Sequence, residues 1–177
     1  MTYAGWIAAV LLLMVSPASA QQRARTGDTE TWKKHTFAED RFEVEFSGAF
    51  KSEPLALDVQ TRRRVVRSVQ HMQEAADLIF VVGAQQNTET VHLDAGARAS
   101  FKAFRCKVMQ PESEVPIDGG RGLEFKGSEC FDGSMRAEAR YYEIGKWFYQ
   151  VIALFHKDTV TEATARRFLL SFKALPR

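Results

Sequence analysis

The sequence is poor in the residues that usually announce chemistry. It holds two cysteines and four histidines in 177 residues. It contains no GxSxG, no HExxH and no P-loop, so the familiar signatures of hydrolysis and nucleotide binding are missing. Its charges lean to neither side. Twenty-four Lys and Arg face 22 Asp and Glu, a formal +2, which argues against a dedicated nucleic-acid or membrane-surface binder. No stretch after the N-terminal apolar run approaches the roughly 20 residues that a spanning helix needs. No internal repeat or low-complexity segment interrupts the chain.

What is present begins at the N-terminus. Ile7 to Val15 form an almost unbroken apolar run, broken by Ser16-Pro17 and followed by Ala18-Ser19-Ala20. This pattern reads as a secretory signal peptide over residues 1–20, cleaved after Ala20 at an A-x-A site. An uncleaved anchor is the alternative, but the run is too short to span. No cysteine near the cleavage point offers a lipid acceptor. Polar residues 21–30 read as a flexible tail, and 31–177 as a single domain. The expected destination is the periplasm, with full secretion as the alternative, and no stable membrane insertion after cleavage.

Cys106 and Cys130 both survive cleavage, and an even count in an oxidising compartment reads first as a disulfide. Ile117-Asp118-Gly119-Gly120 is a turn signal, because Gly supplies positive φ. A chain folded back there sets the two cysteines almost symmetrically across antiparallel segments. The rival reading is a redox-active or metal-binding pair, but the spacing is unlike C-x-x-C and no histidine is near in sequence.

Periodicity separates strands from helices. Phe42-Glu43-Val44-Glu45-Phe46 alternates apolar with acidic, the mark of a half-buried strand. Strands are also expected over 32–37, 62–72, 122–130 and 134–144. Leu78 to Val82 and Trp147 to His156 are apolar on both faces and read as central strands. Residues 88–105 change period, with Leu93, Ala97, Phe101 and Phe104 on one face of a helix. Thr90 is the candidate cap and Asp94–Arg98 the candidate i,i+4 pair. Thr159-Val160-Thr161-Glu162 fits a capping box opening a helix that ends near Leu175-Pro176. The expected fold class is α+β, an antiparallel β-sheet with packed helices.

The opening segment Glu39 to Gly48 and the closing Ala165-Arg166-Arg167-Phe168-Leu169-Leu170-Ser171-Phe172 resemble those of PsbP-like proteins, which read "F-x-V-x-F-P-G" and "F-x-x-S-F" there. The resemblance implies an α-β-α sandwich exported across a membrane, in a group made up mostly of accessory or assembly factors. Neither motif contains a functional residue that could be carried over.

Several features have both a functional and a structural reading. Gly119-Gly120-Arg121-Gly122 is an anion-binding loop or a hairpin turn. His35, His71, His92 and His156, with Met72, Met109 and Met135, are candidate metal-carrier ligands or ordinary surface and core residues. Arg62-Arg63-Arg64 with Arg67 is a contact for an anionic partner or a solvated edge that blocks aggregation. Tyr141, Tyr142, Trp147, Phe148 and Tyr149 line a groove or form core. Glu138 and Glu143 are carboxylates near that cluster, but nothing in the sequence pairs either with a second acid across space, as a glycosidase requires. No catalytic, cofactor or metal site is assigned. The reading is a non-enzymatic periplasmic accessory or binding module, with an unknown protein or small-molecule partner in the cell envelope. The alternatives are a cofactor-independent hydrolase and a His/Met metal carrier.

Overall fold

The computed structural model describes residues 31–55, 57, 62–90 and 92–176. The expected leader 1–20, its cleavage site at Ala20 and the tail 21–30 lie outside the described residues.

The described chain runs β1 (Lys33–Phe37), β2 (Phe42–Phe46), β3 (Lys51–Pro54), β4 (Val65–Ala75), β5 (Leu78–Asn87), α1 (Leu93–Lys102), β6 (Val108–Met109), β7 (Ser113–Val115), β8 (Arg121–Cys130), β9 (Met135–Ile144), β10 (Trp147–His156), α2 (Glu162–Ser171) and β11 (Lys173–Ala174). Eight strands form one antiparallel sheet in the order β3-β4-β5-β10-β9-β8-β6, with β7 also on β8. Three form a small sheet, β1-β2-β11. The two strands that are apolar on both faces, β5 and β10, lie side by side in the middle.

The expected α+β class, an α-β-α sandwich with packed helices, is corrected. Strands take 51% of the described residues, so the fold is β-rich. Both helices are only ten residues long. The helix expected over 88–105 is confined to Leu93–Lys102, because β5 runs on to Asn87 and Ala103 closes the helix. The helix expected to reach Leu175 stops at Ser171, and Lys173–Ala174 pairs with β2 instead. Sequence periodicity also passed over β3, β6, β7 and β11, which are too short for an alternation to register.

Each face of the large sheet has its own core. Leu93, Ala97, Phe101 and Phe104 of α1 pack on Leu123, Phe125, Tyr141 and Phe148. The opposite face is covered jointly by α2 and the small sheet, where Phe42, Val44 and Phe46 meet Phe80, Tyr149, Phe168 and Phe172. Phe80 and Phe168 stack at 4.2 Å. Each such ring contributes roughly 1.5–3 kcal/mol by leaving water.

Local details differ from the sequence reading. The N-cap of α1 is His92, without a side-chain cap, in place of Thr90. Asp94 pairs with Arg121 and Arg98 with Glu112, so the i,i+4 pair is replaced by longer-range ones. Thr161, not Thr159, caps α2, its hydroxyl accepting from the Thr164 N–H at 3.3 Å. The strand expected over 62–72 lies at Val65–Ala75.

No described helix is long and apolar enough to cross a membrane.

Candidate functional site

The disulfide is formed between Cys106 and Cys130. Its position follows from the register of the β6–β8 pairing. Val108 faces Ser128 and Met109 faces Gly127, so the next pair outward but one is Cys106 with Cys130. Gly119 takes φ +73° at the fold-back. Cys130 is fully buried. A Cβ on Gly127 would sit 2.7 Å from Cys106 Sγ, so this position has to be glycine for the bridge to lie where it does. A disulfide fits an extracytoplasmic protein.

The aromatic cluster is core. Tyr141, Tyr142, Trp147, Phe148 and Tyr149 are all buried. The glycine loop is a hairpin turn, and Arg121 is engaged by Asp94 and Glu114. The histidines do not converge. His35 meets Phe50 edge-on, His92 starts α1, and His156 lies beside Asp158. Among the described residues no group of three or more His, Cys, Asp or Glu side chains is placed to hold a metal. Of the arginine run, Arg67 is drawn into a buried network.

That network is one of two polar features that periodicity could not foresee. Asp40, in the β1–β2 turn, points inward with only 3% of its surface exposed. Its Oδ1 accepts from Arg67 Nε at 2.5 Å, and its Oδ2 faces His71 Nε2 at 3.3 Å. The backbone carbonyl of Asp40 accepts from Tyr149 OH at 3.1 Å. Nearby, Gln73 Oε1 accepts from the N–H groups of Ser47 and Gly48, both at 3.1 Å. These bonds fasten the small sheet to the large one. Burial pushes the His71 imidazole below its ordinary range, against the pull of Asp40. Arg67 and His71 both come from β4, while Asp40 comes from the β1–β2 turn 27 and 31 residues earlier, and only the fold joins them.

A second polar stripe crosses β8 and β9. Arg140 Nε donates to Glu124 Oε2 at 2.7 Å, and Lys126 Nζ lies 3.4 Å from Glu124 and 3.8 Å from Glu138. Burial raises the Glu138 carboxyl above its usual range. Burial acts on Glu124 in the same direction, but Arg140 and Lys126 outweigh it and hold that carboxyl low. Glu143, by contrast, lies opposite Arg121 across the strand pair.

The remaining feature is an open trough of about 570 Å³ between α2 and the outer face of the small sheet. The alternation of β2 builds it. Phe42, Val44 and Phe46 turn inward, so Glu43 and Glu45 line the trough floor. The outward residues Arg166, Arg167 and Leu170 of α2 form one wall, and Lys34 and Lys173 come from the flanking strands. Four cations thus meet two carboxylates. Glu43 is 3.0 Å from Lys34 and 3.8 Å from Lys173. Glu45 is held by Arg167 at 3.0 Å, whose guanidinium also lies 4.6 Å from the Trp32 ring centre. Arg166 forms no salt bridge or hydrogen bond among the described residues and senses Glu138 only at longer range. Leu170 is 54% exposed beside it.

The chain matches no protein-family model and no curated protein.

Proposed function

We propose that the protein is an exported binding module of the cell envelope, resident in the periplasm, that takes an anionic ligand in the trough between α2 and the small sheet. The observation that carries this reading is the charge of the trough. Its two glutamates are already matched by Lys34, Lys173 and Arg167, which leaves an excess of two positive charges and an Arg166 with no ion pair among the described residues. Exposed Leu170 beside that charge gives an apolar contact for the ligand's body. The trough is open, which suits a partner segment or a small polyanion presented at a surface. The disulfide and the N-terminal apolar run support the export part of the reading.

Titration of isotope-labelled protein with pyrophosphate and with citrate, followed by NMR, tests the reading. Shifts gathered at Lys34, Arg166, Leu170 and Lys173 support it. Shifts scattered over all surface cations, or none, contradict it.

A further inference from the structure

Ser52 lies on β3, the edge strand of the large sheet, directly opposite His71 on β4. The Leu55 N–H donates to Ser68 O at 3.2 Å, which fixes the alternation of this strand pair. Counting back from it, Ser52 and His71 form a non-hydrogen-bonded pair, the kind whose side chains approach most closely. The side chains meet, with Ser52 Oγ 2.8 Å from His71 Nδ1. The same alternation turns the Ser52 backbone N–H outward, toward the open edge. The other outward position of the strand is Pro54, which has no N–H.

The protonation pattern of the pair is set from behind. Asp40 accepts from Arg67 through one oxygen and faces His71 Nε2 through the other. The imidazole therefore carries its hydrogen on Nε2, and Nδ1 keeps a lone pair. The Ser52 hydroxyl is the donor to it. The ring is fixed in place. His71 is only 3% exposed, with the Phe37 ring centre 3.9 Å away and Phe42 and Phe50 on further sides. Burial lowers the pKa of the ring, and the Asp40 carboxylate behind it is what favours the imidazolium when Nδ1 takes up a proton. Ser52 itself is exposed.

We propose that Ser52 is a nucleophile, with His71 as its base and Asp40 as the positioning residue, and that it accepts acyl groups from activated carboxylic esters. A nucleophile bonded to a base that a third group orients is the arrangement that serine acyl transfer requires. Ser52 Oγ bonds to the ester carbonyl carbon as its proton passes to His71 Nδ1. The bond from that carbon to the leaving oxygen then breaks, and the departing alcohol takes the proton from His71. Water attacks the acyl-Ser52 with His71 again as base, releasing the carboxylic acid and restoring the hydroxyl. The outward Ser52 N–H is the donor for the developing oxyanion. One such donor on an open edge gives limited transition-state stabilisation. That confines the substrates to esters of acidic alcohols, such as aryl esters, and leaves amides intact. This chemistry is independent of the trough.

The test uses the full-length protein with p-nitrophenyl acetate, following p-nitrophenolate release and mapping the acetyl group by peptide mass spectrometry. Acetylation of Ser52 with steady release is expected, abolished in Ser52→Ala. That exposed edge substitution leaves the core untouched. His71→Gln is expected to slow acetylation about 100-fold, with circular dichroism checking the fold. If it unfolds, the Ser52→Ala result decides. The rate should hold as pH falls through the ordinary imidazole range and drop only below it. The charged groups that act on His71 and shape this profile are Asp40, which favours the imidazolium, and Arg67, which opposes it and is itself paired with Glu39. Acetyl groups on lysines but not on Ser52, or an unchanged release rate in Ser52→Ala, would overturn the proposal.

Discussion

His71 Nε2 lies 3.3 Å from Asp40 Oδ2, both side chains almost wholly buried, and this pair ties the β1–β2 turn to β4. Because burial lowers the His71 pKa, the unfolded chain takes up a proton at a higher pH than the folded one. The contribution is fully present above the ordinary value of 6.5 and is lost as pH falls below it, through the folded value. Chemical denaturation at pH 8, 6.5 and 5 should show falling stability, and His71→Gln should flatten that slope. Asp40→Ala should cost about 1–3 kcal/mol at neutral pH, since it leaves the buried His71 Nε2–H without its acceptor.

Glu138 works in the opposite sense. Its raised pKa means the fold prefers the neutral acid, despite Lys126 nearby. Its contribution is present at low pH and lost as pH rises through the folded value. Glu138→Gln is expected to raise the melting temperature at pH 8 and to change it little at pH 4. A lower melting temperature at pH 8 would show that the Lys126 pair outweighs burial.

Gly127 sets the place of the disulfide. An alanine there would bring its Cβ to 2.7 Å from Cys106 Sγ and 2.8 Å from its Cβ. Gly127→Ala should destabilise the oxidised protein by about 1–3 kcal/mol, as overpacking does. Reducing the native protein should cost about 3 kcal/mol on the chain-entropy model. If reduction removes most of the Gly127→Ala penalty, the clash with the bridge is its source.

Export is checked directly. Intact mass of the protein released by osmotic shock should correspond to a chain beginning at Gln21. Retention of residues 1–20 would contradict cleavage after Ala20.

How much of this was legible in the sequence depends on the kind of interaction. Alternation in Phe42 to Phe46 and the doubly apolar run of Trp147 to His156 gave strands with the observed bounds, because each registers burial residue by residue. The fold-back at Gly119 was readable from glycine chemistry, and it placed Cys106 opposite Cys130. Helix lengths were not readable. The apolar face at Leu93 to Phe104 marks a helix but not where β5 ends, and Phe172 satisfies a helical pattern while its backbone is already extended. That error turned a β-rich fold into an expected α+β one. The trough and the Asp40 network were also out of reach. They join positions 40, 52, 67 and 71, and β2 with α2, through tertiary packing that leaves no local period. Glu43 and Glu45 did carry a signal, since a strand with one acidic face must present it somewhere.

The most direct measurement of the central claim is pyrophosphate affinity by calorimetry for the native protein and for Arg166→Glu with Lys173→Glu. Both side chains are exposed and neither belongs to the core, so the fold is kept. Reversing two trough charges should weaken binding by more than about tenfold, and added salt should weaken the native affinity. Equal affinity in the two proteins would contradict the assignment of the trough as an anion site.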